Sequence, residues 1–200
     1  MGCVEPAGTL VDVLGKALGQ TGTVIASTRP DQAELATPCL SWDVRTLVNH
    51  IVYDARMFAA TSQGLPRPPA GEDLIDDDWG AAYEVAAGEL LAVWEQPGAT
   101  EGTISLPQGE LPRTWRLGQQ VANFAVHAWD VAKATGQPTE LDPEVGRIAL
   151  EWGRENLKPE FRGREGSGKV FGPEVRVTDD APLYDRLAGF CGRDPSVAYA

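Results

Sequence analysis

Four stretches of the chain repeat apolar residues at steps of three and four, and glycine or proline follows each of them. Such a rhythm fits amphipathic helices that each turn one face to a shared core. The first runs over residues 7–27 through Leu10, Val13, Leu14, Ala17, Leu18, Thr21, Val24 and Ile25. A second, over 42–63, carries Val44, Leu47, Val48, Ile51, Ala55, Phe58 and Ala59, with Ser41 as the expected cap and Asp43 suited to the positive first turn. Behind the acidic Asp76-Asp77-Asp78, a third over 78–96 buries Trp79, Ala82, Tyr83, Ala86, Leu90, Val93 and Trp94, and the fourth, over 115–135, buries Leu117, Val121, Phe124, Ala125, Ala128 and Val131. The expected fold is therefore mainly α: an up-and-down four-helix bundle formed by residues 7–136, with a small helix and strand extension over 137–200, all one domain.

Between the third and fourth helices, Thr103-Ile104-Ser105-Leu106 and a Pro-Gln-Gly turn predict a small hairpin. Asp142-Pro143-Glu144 combines a cap, a proline at the first position and an acidic first turn, so a fifth helix starts there. A Gly- and charge-rich loop over 158–173 precedes an alternating Glu174-Val175-Arg176-Val177, expected as a short strand, and a last helix around Leu183, Leu187 and Phe190 that ends at Gly192. Trp129 shares a row with Gly118, Ala122, Ala125 and Ala132, a surface suited to close helix approach.

Charge and composition narrow the function. A formal net charge of −12 disfavours nucleic acid, and no run approaches the apolar length of a membrane span. The N-terminus has no secretory signal, and Met1-Gly2-Cys3 meets Pro6 where a myristoylation signal needs Ser or Thr, so a cytoplasmic protein without a lipid anchor is expected. Three widely spaced cysteines, Cys3, Cys39 and Cys191, read as reduced thiols. Cys39 precedes the second helix, where the dipole lowers a thiol pKa, yet a small packed thiol is the commoner role. Phosphate loops, Gly-x-Ser-x-Gly elbows and Cys-x-x-Cys pairs are absent from the sequence.

The two histidines, His50 and His127, both lie inside bundle helices. On the fourth helix, Gln120, Asn123, His127 and Asp130 form one polar row at the edge of the apolar stripe, and Leu47, His50, Asp54 and Met57 form a corresponding row on the second. Facing helices that each carry an imidazole beside a carboxylate or amide are how bundles build internal metal sites. The same spacing also suits two ordinary, hydrogen-bonded boundary histidines.

Thr37-Pro38-Cys39-Leu40-Ser41-Trp42-Asp43-Val44-Arg45 with Leu47 and His50 resembles the helix-two signature of the actinobacterial DinB/YfiT-like proteins related to the N-terminal domain of mycothiol-dependent maleylpyruvate isomerase. Leu106-Pro107 with Gly109, the run Val126-His127-Ala128-Trp129-Asp130-Val131-Ala132-Lys133-Ala134-Thr135-Gly136, and the Gly192-Arg193-Asp194-Pro195 ending are similar to the same group. The resemblance implies a DinB-like bundle and a divalent metal, zinc or nickel, with His50 and His127 at two ligand positions and Asn123 at the third. Asn123 stands where the family commonly carries an acid or a histidine, and a neutral amide weakens the site. Asp130 then serves as a substitute ligand or orients His127 from behind, with Asp54 the less favoured stand-in.

By resemblance, the chain is expected to be a metal-dependent transferase or isomerase that uses a thiol, mycothiol, on a small organic substrate, with His127, Asp130 and Asn123 as its catalytic residues. The isomerase itself has a further C-terminal domain, for which residues 137–200 leave little room. Two alternatives stay open: a metal-independent natural-product isomerase or cyclase working through Asn123, His127 and Asp130, and a non-catalytic small-molecule-binding module. Monomer and homodimer are both compatible with the sequence.

Overall fold

Capping chemistry sets the helix boundaries in the computed structural model, which describes residues 9–106, 109–163, 167 and 171–199. Met1-Gly2-Cys3 and the Pro107-Gln108 part of the expected turn lie outside the described residues. Helix α1, Leu10–Ala26, opens with a capping box: Thr9 Oγ1 accepts from the Asp12 amide, and Asp12 Oδ2 accepts from the Thr9 amide. Helix α2, Val44–Ser62, is capped by Asp43 rather than Ser41, because Asp43 Oδ1 accepts from the Thr46 amide at 2.8 Å. Asp78 caps α3, Trp79–Trp94, and Asp142 caps α5, Pro143–Asn156, as the acidic starts predict. Helix α4, Arg113–Thr135, follows directly on the hairpin strands β1, Thr103–Leu106, and β2, Gly109–Pro112, and ends at Gly136 in the left-handed conformation.

Helix α1 packs on α4 and α3, and α2 packs on α3 and α4, so these four helices close a ring around one core. Leu14, Leu47, Ile51, Leu90, Leu117 and Phe124 are fully buried there, each contributing about 1.5–3 kcal/mol by leaving water. Every apolar residue expected on the buried faces of α2 and α4 is buried, whereas Trp79, Ala82 and Val93 of α3 are only half-buried.

Helix α5 lies on α4, and α6, Leu183–Phe190, lies on α5 and α4. The α4–α5 approach depends on Gly118, where a Cβ would fall 2.5 Å from Trp152 Cδ1. Trp129 is fully buried, with its indole N–H on Asp185, which is the packing role expected of it. The expected strand over 174–177 does not form. The segment has no regular secondary structure and packs on α6, with Val177 against Gly189 and the Val175 amide on the Gly189 carbonyl. Alternation alone makes no strand without a neighbouring edge to pair with.

No helix among the described residues is long and apolar enough to cross a membrane.

Candidate metal centre

The candidate site residues meet along the α2–α4 seam. On α2, His50 and Asp54 sit one turn apart on one face, and His50 Nε2 lies 3.2 Å from Asp54 Oδ2. Across the seam, the Asn123 amide nitrogen donates to the same Asp54 oxygen at 3.0 Å. Burial pushes the Asp54 carboxyl up, but the His50 hydrogen bond and charge, His127 and Asn123 together outweigh it and hold the group below its usual value. Trp42, just ahead of α2, rests its ring 4.3 Å from that of His50.

On α4, His127 Nδ1 lies 3.0 Å from Asp130 Oδ2, one turn further along. Asp130 is fully buried, and its two oxygens accept from Arg193: Nε to Oδ1 at 3.1 Å and Nη2 to Oδ2 at 2.9 Å. The Cys39 thiol adds a contact, its Sγ 3.4 Å from Asp130 Oδ2. Burial raises the Asp130 carboxyl, yet the Arg193 charge and the His127 hydrogen bond hold it well below the carboxylate range. For His127 burial dominates and lowers the pKa against the pull of Asp130, favouring a neutral ring with a lone pair for a ligand. The Cys39 thiol is pushed far up, by burial first and by Asp130 next, which favours its protonated form.

The imidazoles of His50 and His127 meet edge to face across the seam, 5.2 Å between centroids. Two groups of residues could hold an ion. In His50, Asp54 and His127, one ligand atom from each lies within 4.8 Å of the others, and the same holds for Cys39, His127 and Asp130. The second group already contains a cation, because the Arg193 guanidinium is seated on Asp130 and within 3.4 Å of Cys39 Sγ.

The first group fits a divalent transition metal. Two imidazole nitrogens and a carboxylate oxygen are the donors zinc or nickel takes in open sites, and two atoms on a tetrahedral zinc stand about 3.3 Å apart, close to the 3.2 Å between His50 and Asp54. Asp130 behind His127 supplies the second-sphere carboxylate that such a histidine needs.

The family resemblance implies Asn123 as the third ligand, with Asp130 favoured over Asp54 as its substitute. The geometry instead brings Asp54 to the two histidines, commits Asp130 to His127 and Arg193, and turns the Asn123 N–H toward Asp54. Gln120, first in the same polar row, accepts from the Trp94 indole and donates to Ser62 within the core. Arg193 and the placement of Cys39 went unforeseen, although both residues lie in the segments that carry the family resemblance.

The family model described as the mycothiol maleylpyruvate isomerase N-terminal domain matches residues 14–132. Two uncharacterized proteins of Mycobacterium tuberculosis, from its CDC 1551 and H37Rv strains, are each 35% identical over 170 residues, spanning 85% of this chain and 90% of theirs. Among solved structures, the crystal structure of the mycothiol-dependent maleylpyruvate isomerase superposes with a TM-score of 0.62 at 12% identity, covering 78% of this chain and 71% of that one. That likeness is one of fold, the mainly α DinB-like architecture. The chain belongs to the mycothiol maleylpyruvate isomerase N-terminal domain family.

Proposed function

We propose that this chain is a metal-dependent enzyme of the thiol-using transferase or isomerase type, holding zinc or nickel on His50, Asp54 and His127 and using mycothiol on a small organic substrate. The observation that carries the reading is the convergence of those three donors across the α2–α4 seam. Family membership supports mycothiol as the thiol. When bound, such an ion supplies Lewis acidity and lowers the proton affinity of a coordinated thiol.

The chain's own residues then divide the work. Asp130 stands 3.0 Å behind His127 Nδ1 and orients the ring toward the seam. Asn123 holds the Asp54 carboxylate in place with its N–H, and its neutral amide leaves the ion with fewer compensating charges than an acid there would. His50, with 28% of its side chain exposed against 9% for His127, is the side from which thiol and substrate enter. Helices α1 to α6 act as one unit in this reading, because α5 and α6 pack on α4, and a role without nucleic acid agrees with the net charge of −12.

The test is elemental analysis and zinc calorimetry of the purified chain. We expect stoichiometric uptake that His50→Ala and Asp54→Ala abolish; a parent protein that takes up neither zinc nor nickel overturns the metal assignment.

A second reading keeps the seam and drops the ion. Each histidine already has its own carboxylate, His50 with Asp54 and His127 with Asp130, an arrangement that serves proton transfer in an isomerase or cyclase. Activity that survives chelation is the outcome that selects it.

A further inference from the structure

The C-terminal segment lies beyond the residues matched by the family model, yet it reaches the centre of the site. Helix α6 ends in a Schellman motif: the Gly192 amide donates to the Gly189 carbonyl at 3.0 Å and the Arg193 amide to the Ala188 carbonyl at 2.9 Å. Gly192 has φ +88, and a Cβ there would meet Gly172 Cα at 2.7 Å, so only glycine lets the chain turn here. Past this turn, Lys133 Nζ of α4 donates to the Pro195 carbonyl at 2.7 Å and ties the tail to the helix that carries His127. The motif and the tie together fix where the Arg193 side chain leaves the backbone.

That side chain makes a two-pronged contact with Asp130, Nε to Oδ1 and Nη2 to Oδ2. Such a fork sets both the position and the rotation of a carboxylate, which a point charge does not. With the guanidinium on both oxygens and the Cys39 thiol beside Oδ2, Asp130 is an acceptor with every nearby partner a donor. His127 Nδ1, 3.0 Å from Oδ2, must therefore carry the ring proton. Stability does not account for the pair, since the desolvation of two buried charges largely offsets their attraction.

We infer that Arg193 is a positioning residue which, through Asp130, locks His127 in the Nδ1-protonated tautomer and so presents Nε2 to the site. The C-terminal segment is then a part of the site and not only a cover on the bundle. The inference deepens the proposed metal centre, but its first readout needs no metal.

The experiment is nitrogen NMR of the histidine rings in the metal-free full chain, followed by zinc calorimetry, for the parent, Arg193→Met and Arg193→Lys, with folding verified by circular dichroism. The parent is expected to show His127 Nδ1 protonated and Nε2 unprotonated. Arg193→Met should give a mixture of tautomers and a zinc affinity lower by about tenfold to a hundredfold, the range for loss of second-sphere support. Arg193→Lys keeps the charge and loses the fork, so it should shift both readouts in the same direction by less. If Arg193→Met fails to fold, Arg193→Lys alone decides. A His127 tautomer in the folded variants identical to the parent's, or a parent ring protonated on Nε2, overturns the inference. A parent that shows the expected tautomer but takes up no zinc or nickel removes the metal reading and leaves the positioning role standing.

Discussion

The two halves of the site are built differently although each is an imidazole with a carboxylate one helical turn on. The α2 half is open: 28% of the His50 side chain is exposed, and its neighbours Trp42 and Asp54 lie on or just ahead of the same helix. The α4 half is sealed: Asp130 is fully buried, and residues from three distant parts of the chain, Cys39, His127 and Arg193, converge on it. A site needs one side held rigid so that ligand geometry is set before binding, and one side accessible so that ion and substrate can enter. If the seam holds an ion as proposed, the contrast gives those tasks to α4 and α2.

The strongest break in this comparison is Asp130→Ala. It strands the Arg193 guanidinium in the interior without its carboxylate, and loss of one partner of a buried pair costs about 3–5 kcal/mol. Urea denaturation of parent and variant measures this, and a loss below about 1 kcal/mol would show the sealed half to be less rigid than its contacts indicate. On the open half, His50→Ala should leave folding stability within about 1 kcal/mol of the parent while weakening zinc binding by at least about a hundredfold, since a half-exposed ring contributes little to packing. Unchanged zinc affinity in that variant would remove His50 from the site.

Asn123 stands between the halves, donating to Asp54 of α2 from a position on α4. Asn123→Glu should tighten zinc binding by about tenfold if an ion sits there, because an added carboxylate compensates its charge. In a metal-free cleft the same change sets two carboxylates face to face, and calorimetry would then show weaker ligand binding with no gain for zinc. The smallest effect is expected from Cys39→Ala. A protonated thiol is a weak donor, and Arg193 still saturates Asp130 without it, so stability should fall by no more than about 1 kcal/mol and zinc affinity should not change. A large loss of zinc affinity would make Cys39 part of the site proper.

What a local pattern can specify, the sequence determined. The buried stripes of α1, α2 and α4 were legible because helical periodicity is a property of neighbours three and four residues apart, and His50 and His127 could be singled out because the chain has no other histidine. Boundaries were legible to within a few residues: Ser41 and Asp43 are both cap formers, and only the backbone path decided for Asp43. Residues 174–177 alternate like a strand, yet whether an extended segment pairs depends on an edge that no local pattern reveals.

The third member of the proposed metal group was decided by tertiary structure alone. Asp54 and Asn123 are both polar, both on the right rows and both within reach by spacing, and which atom turns toward the histidines depends on how α2 is rotated against α4. The lock on His127 lay further from view, since Asp130 and Arg193 are 63 positions apart and meet only because α6 ends in a glycine turn beside α4. Periodicity fixes which face of a helix is buried, but the pairing of polar groups inside that buried face follows from packing between elements distant in the chain.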